Sequence, residues 1–271
     1  MSVSPFDSAL YRDLFADTDS ARLFTDSAEI RAMMLVEGAL AKAQGALGLI
    51  PQDSAEAIHR AAMEVQIDPS GLAAATGQNG VPVPALVAAF RAAMDAPEHA
   101  QYLHWGATSQ DIIDTGLALR LRQALSLMET TQTRLLDVLA TMAETHADTP
   151  ITARTYGQSA TPTSFGAVVS SWGWPHLAHL DRLAALRPRL LQVSLSGAAG
   201  TSSALGPDAP GLRKAMAEAL GLSDPGHSWH STRDSVTELA GWLTLVAGSL
   251  GKLGDDLLLL SQTDSGEVRF G

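Results

Sequence analysis

Apolar residues in this chain recur at intervals of three and four, the period of α-helices, and short polar stretches cut the pattern into segments. The first predicted helix runs from about Asp26 to Leu47. Ile30, Met33, Met34, Leu40 and Ala41 share one face with Glu37, the odd polar member. Asp26 and Glu29 have capping spacing, Gly48 suits the C-terminal cap, and Pro51 lies just beyond. A second helix is predicted over Ser54 to Val65, a short one after Pro69, and another over Ala85 to Met94. The last of these follows a turn-rich break from Thr76 to Pro84.

The long elements come later. From Asp111 to about His146 there is no Pro, and apolar residues fall at Ile113, Leu117, Leu121, Leu125, Met128, Leu135, Leu139 and Met142. At 1.5 Å per residue that helix spans roughly 50 Å, as an extended bundle requires. Thr149-Pro150 ends it. A helix carrying Pro175, which should kink it, follows, then a short one over Leu212 to Leu220. The last stripe runs through Val236, Leu239, Leu243, Val246, Leu250, Leu253, Leu257 and Leu260. A helix so apolar needs more neighbours than this chain supplies, so partner subunits are expected. The fold class is all-α. An N-terminal helical domain is expected over residues 1–99 and a central long-helix domain over 100–271.

Composition sharpens this. Of the 271 residues, 46% are hydrophobic and 17% charged, which is the make-up of a folded chain with a sizeable core. The formal net charge of −11 argues against non-specific nucleic-acid binding and against anionic membranes. There is no Cys, so disulfides and thiolate metal sites are excluded and a reducing cytoplasm is the expected compartment. The N-terminus lacks the basic and apolar regions of a signal peptide. The apolar window from Val236 to Leu260 is broken by Glu238, Lys252, Asp255 and Asp256, so no membrane span is expected.

Candidate chemistry gathers in polar stretches that precede helices. His104-Trp105-Gly106-Ala107-Thr108-Ser109-Gln110-Asp111 opens the longest helix, where Thr108 or Ser109 can cap and Asp111 can brace the first turn. A capped helix start also suits a bound carboxylate. Arg154-Thr155-Tyr156-Gly157-Gln158-Ser159 leads into a second hydroxyl-rich helix start. Ser196 to Ser203 is rich in Gly and Ser, and its successive N–H groups are able to form an anion nest. His227 to Asp234 opens the final helix. Asn79 reads either as a site residue or as a turn Asn beside Gly80. His pairs at His99/His104 and His227/His230 match no metal-binding spacing, and no phosphate-loop, dinucleotide or Gly-x-Ser-x-Gly motif occurs. What remains suits a small polycarboxylate held by neutral donors and a few cations such as Arg154 and Arg233.

His104-Trp-Gly-Ala-Thr-Ser-Gln-Asp-Ile-Ile-Asp-Thr115 resembles the first signature region of the fumarase/aspartase superfamily. Arg154 to Gly166 resembles the second. Ser196 to Ser203 and His230-Ser-Thr-Arg-Asp234 are similar to further stretches of the group. The run Gly77-Gln-Asn-Gly-Val-Pro-Val-Pro84 and the Trp229-His-Ser-Thr-Arg-Asp234 run are most like its cycloisomerase branch. The resemblance implies a helical protomer assembled as a homotetramer, with each active site drawn from three subunits. It implies lactonisation of 3-carboxy-cis,cis-muconate without a cofactor or metal. Thr108, Ser109 and Gln158 would be catalytic, and Asn79, His104, Thr155, Tyr156 and Arg233 would bind substrate. His104 either orients donors or sits satisfied behind them. The superfamily's Ser-Ser-x-Met-Pro-x-Lys-x-Asn-Pro loop, whose Ser transfers the proton, is not in this sequence; the chain stops at Ser265 to Gly271, and a longer natural protein is expected.

Tyr156 is an informative departure. Lyases of the superfamily that release water or an amine carry His there, because such leaving groups need a general acid. A carboxylate, with a pKa of about 4, leaves without one. Tyr156 therefore favours the cycloisomerase over an adenylosuccinate lyase-like enzyme that releases fumarate. Ser159 departs from the cycloisomerase pattern, in which His is common at that place. A non-catalytic member of the fold is the remaining alternative.

Overall fold

The structure, a computed structural model, describes residues 4–269. Its elements in order are α1 (Arg12–Phe15), α2 (Thr18–Ala21), α3 (Asp26–Ala46), α4 (Gln52–Glu64), α5 (Ala73–Asn79), α6 (Val83–Met94), α7 (Pro97–Ala100), α8 (Ser109–Thr145), β1 (Pro150–Thr155), β2 (Gln158–Ser164), α9 (Phe165–Leu190), α10 (Ala209–Leu220) and α11 (Asp234–Leu260). The helical reading holds, with one correction: the second polar stretch is a β-hairpin, so the chain is mostly rather than wholly helical. Ile151, Thr152 and Thr155 make up half of β1, and Pro162 sits in β2 of a two-stranded ribbon, where a missing donor is tolerated.

The chain divides into two compact units. One comprises the chain up to Leu127 with Leu191–Arg233; the other comprises Met128–Leu190 with the chain from Asp234 onward. Helix α8, 37 residues or about 55 Å long at the usual rise, contributes its first half to one unit and its second half to the other.

In the first unit α3 and α4 pack as an antiparallel pair. A methyl on Gly38 would lie 2.7 Å from the Ala62 Cβ, and one on Gly45 would lie 2.4 Å from the Ala55 Cβ. Small residues seven apart on each helix thus let the backbones approach closely. Thr25, not Asp26, caps α3, its hydroxyl accepting from the Ala28 N–H at 3.2 Å. Gly48, at φ 70°, ends it as expected. Met33, Met34, Val36, Leu40, Ile58, Leu86, Phe90 and Ile112 fill the core. The break before α6 is shorter than predicted, because Thr76–Asn79 complete α5 and only Gly80 to Pro82 turn.

In the second unit Leu139, Val169, Trp172 and Leu260 form the core. The Trp172 Nε1–H donates to the Asp256 carboxylate at 2.6 Å, and the Trp242 Nε1–H donates to the His179 carbonyl at 2.9 Å, fastening α9 to α11. Pro175 and Pro188 both lie inside α9. Only Leu239, Trp242 and Leu260 of α11 are buried, while Leu243, Leu245, Leu250, Leu258 and Leu259 are exposed. No helix among the described residues is long and apolar enough to cross a membrane.

Candidate active site

The first turns of α8 are built around polar groups that the predicted stripe does not include. Asp111, Asp114 and Thr115 are buried along with Ile112, Ala118 and Leu119, whereas Ile113, Leu117 and Leu121 are only half-buried. The reason is the segment from Leu191 to Leu205, which lies against the polar side. Thr115 Oγ donates to the Ser194 carbonyl at 3.2 Å and accepts from the Ser194 N–H at 2.8 Å.

Asp111 is the hub. It has no exposed surface, yet its carboxylate is fully used. Oδ2 accepts from the Thr108 N–H and the Gly197 N–H, both at 3.0 Å. Oδ1 accepts from the Ser196 N–H at 2.8 Å, from His230 Nε2 at 2.7 Å and, more weakly, from Ser194 Oγ at 3.4 Å. The bond to Thr108 is the return half of a capping box. Those to Ser196 and Gly197 show what the expected nest of N–H groups holds: an internal anion, the Asp111 side chain, and not an external ligand. A buried carboxylate needs such a set of donors, since an unpaired charge there would be costly.

His104 is held the same way. Its Nδ1 lies 2.6 Å from the Glu37 carboxylate, which is also buried. The odd polar residue of the α3 face is thus the partner of the first signature His. Burial acts to lower the His104 pKa, but the Glu37 hydrogen bond and charge, joined by the charge of Asp111, outweigh it and raise it above the ordinary value. The neighbouring backbone is pinned too: the Gln44 amide donates to the Trp105 carbonyl at 2.7 Å, and Arg91 donates to the Leu103 carbonyl at 2.8 Å. Gly106, at φ 74°, leaves no room for a side chain, because a Cβ would sit 2.5 Å from the Ala204 carbonyl oxygen.

Arg233 makes a bidentate pair with buried Asp114, at 2.7 and 2.9 Å, and its guanidinium lies over the Trp229 ring at 5.2 Å. The Asp114 hydrogen bond, set against partial burial, raises the Arg233 pKa further. Arg233 therefore stands one turn of α8 beyond the Asp111–His230 contact. The hydroxyls of Thr108 and Ser109 are half-buried and make no hydrogen bond among the described residues, so both stay available to a ligand.

The structure thus joins the first, third and fourth polar stretches within one unit. Asn79 is in that unit as well, but exposed at the end of α5 and without a side-chain hydrogen bond to them among the described residues. Thr155, Tyr156 and Gln158 belong to the second unit, at the hairpin tip. Thr155 pairs with Gln158, and Tyr156 (φ 51°) and Gly157 (φ 69°) form the two-residue turn between them. Both positive φ values are those of a type I′ turn, the connection that matches strand twist. All three candidates are exposed, Tyr156 completely, at 101%. They do not precede a helix directly, as the sequence reading supposed; β2 intervenes. Arg154 is paired with Glu267.

The residues that sequence reasoning missed are Asp111 as an internal anion, His230 on it, Asp114 and Thr115. Asp111 carried a signal only as the brace of the first turn, which it also is, and Glu37 carried one as a charge on an apolar stripe.

These features define a class. A lyase-family profile matches residues 13–270, and the chain belongs to that family, within the fumarase/aspartase superfamily. Among the curated relatives, the chain is 42% identical to the 3-carboxy-cis,cis-muconate cycloisomerase of Pseudomonas aeruginosa, over 96% of this chain and 57% of that protein. It is 41% identical to the enzyme of the same name from Pseudomonas putida, over 96% and 62%. The solved 3-carboxy-cis,cis-muconate lactonizing enzyme from Pseudomonas putida superposes with a TM-score of 0.92 at 40% identity, covering 96% of this chain and 59% of that one. A fumarate lyase from Mesorhizobium sp. BNC1 superposes at 0.90 with 38% identity, over 93% and 59%. The chain therefore spans about three-fifths of the length of the relatives it matches.

Proposed function

We propose that the protein is a cycloisomerase that converts 3-carboxy-cis,cis-muconate to 4-carboxymuconolactone, a step of protocatechuate breakdown. The observation that carries this reading is the run of relatives named for that reaction at 36–42% identity across 96% of the chain. The geometry is in keeping with it. Thr108 and Ser109 offer unspent hydroxyls at the positive end of a long helix, where a carboxylate is favoured.

In this reading one substrate carboxylate adds across the neighbouring double bond, and the adjacent carbon takes a proton. Charge that builds on the second carboxylate is met by Thr108, Ser109 and Gln158, preset hydrogen-bond donors. Arg233, braced by Asp114, and His104, braced by Glu37, anchor the polyanion, with Asn79, Thr155 and Tyr156 completing its surroundings. The resemblance assigns proton transfer to a loop Ser that this sequence does not contain. No cofactor or metal is needed for an addition of this kind. Because the leaving carboxylate in reverse needs no acid, Tyr156 serves where other lyases use His.

We further propose a homotetramer with sites shared among three subunits, in the cytoplasm. The exposed Leu243, Leu245 and Leu250 on α11 and Trp174 and Leu177 on α9 support self-association. Loss of the muconate ultraviolet absorbance with the full-length protein tests the function. No turnover, or release of fumarate from a succinyl substrate instead, would overturn it. Light scattering tests the assembly, and a monomer would refute it.

A further inference from the structure

We infer that His230 is a further substrate-contacting residue of this site, its ring anchored on Asp111 through Nε2 and its Nδ1 left to meet one carboxylate of the substrate. The inference rests on the proposed polycarboxylate ligand. An ionised carboxylate has only acceptors to offer, so at 2.7 Å from Asp111 Oδ1 the Nε2 must carry the hydrogen. Nδ1, across the ring, has no partner among the described residues, and the side chain keeps 16% of its surface exposed. Its position is equally specific. The same carboxylate takes the Thr108 N–H, so the ring is tied to the start of α8, where the free hydroxyls lie.

Charge points the same way. The protein carries a net −11, and a trianion needs cations near it. Arg233 and His104 are each backed by a buried acid, Asp114 and Glu37. His230 on Asp111 repeats the arrangement, which fixes the orientation of the ring.

The test uses the full-length protein and two ligands, 3-carboxymuconate for turnover and tricarballylate, an unreactive tricarboxylate, for binding by calorimetry. His230→Gln leaves an amide donor for Asp111 but removes Nδ1. It is expected to weaken tricarballylate about tenfold and to raise KM by a similar factor, with kcat changed less, the pattern of lost binding. Nitrogen NMR of the wild-type imidazole is expected to show a protonated Nε2 and an Nδ1 signal that moves when tricarballylate is added. Equal tricarballylate affinity in His230→Gln, an unmoved Nδ1 signal, or a wild type that does not bind tricarballylate would overturn the inference. If His230→Gln does not fold, the NMR result on the wild type decides. A wild type that binds tricarballylate through His230 but does not turn over the muconate would sink the cycloisomerase reading and leave His230 in place.

Discussion

Asp111 and His230 meet at 2.7 Å although 119 residues separate them in the chain. The contact is the centre of the first unit's polar architecture. One buried carboxylate draws the start of α8, the Ser194–Gly197 segment and the approach to α11 onto the same two oxygens. Hydrogen bonds to a charged acceptor are stronger than neutral ones, so a single side chain can order three irregular segments.

Asp111→Asn should therefore be costly. The amide nitrogen would face donors on whichever oxygen it replaces, leaving N–H groups of Thr108 and Gly197, or of Ser196, without an acceptor. A loss of about 3 kcal/mol is expected, read from the urea midpoint at unchanged slope. A loss under about 1 kcal/mol would mean that water takes over those donors.

Glu37 sets the pH response of His104. Because the folded pKa lies above the ordinary value, folded His104 binds its proton more tightly than unfolded His104 does. Its contribution is complete below about pH 6.5 and is lost as pH rises through the folded pKa. Glu37→Gln removes the charge and leaves burial dominant, so the His104 pKa should drop and this trend should reverse. NMR titration of the imidazole measures it; an unchanged pKa would show that Glu37 does not control the ring.

Much of the fold is legible in the residues because its elements are long and periodic. The boundaries of α3, α8 and α11 fall within a few residues of those read from apolar spacing, since the helix period marks an element's extent even where, as on α8 and α11, the apolar stripe is for the most part not the face this chain buries. The hairpin was not legible: Arg154 to Ser164 lacks alternating apolar residues, and Tyr156-Gly157 is an uncommon I′ pair compared with Asn-Gly. The site was half legible. Hydroxyls, His104 and Arg233 announce themselves by type. Asp111 is disguised as an ordinary first-turn acid and Asp114 as a polar residue one turn further on, and only tertiary contact with residues 80 or more positions away reveals their work.

Ser109 tests the helix start directly. Its hydroxyl makes no hydrogen bond among the described residues, so removing it should not harm the fold. Ser109→Ala is expected to cut kcat by about a hundredfold if the hydroxyl meets developing charge, at an unchanged melting temperature. A normal rate would remove Ser109 from the site.

His176 predicts the opposite pH trend. It is fully buried on α9, and neither ring nitrogen has a hydrogen bond among the described residues. Burial holds its pKa below the ordinary value; burial, Arg182 and His176 do the same for His179. The unfolded chain binds these protons more readily, so stability should fall as pH drops below about 6.5. His176→Leu should stabilise the protein by about 1 kcal/mol by removing unpaired polar atoms, and should flatten that acid limb. Thermal unfolding at pH 5.5 and 7.5 checks both. Destabilisation at both values would show that the nitrogens have partners in the assembled protein.

Tyr156 sits at a position that local energetics would give to Asn or Gly. Its φ of 51° is unfavourable for a bulky residue, and its ring is fully exposed, so neither turn geometry nor packing within the chain accounts for it. Strain retained without local benefit points to a use elsewhere, which in the proposed reading is contact with substrate. Tyr156→Asn should relieve the turn and raise stability by about 0.5–1 kcal/mol. The same change should lower kcat/KM by about tenfold, equivalent to one hydrogen bond or ring contact of about 1.4 kcal/mol. The two effects separate the explanations. A more stable protein with reduced turnover supports the contact. A more stable protein with full activity would reduce Tyr156 to a tolerated flaw in a hairpin turn.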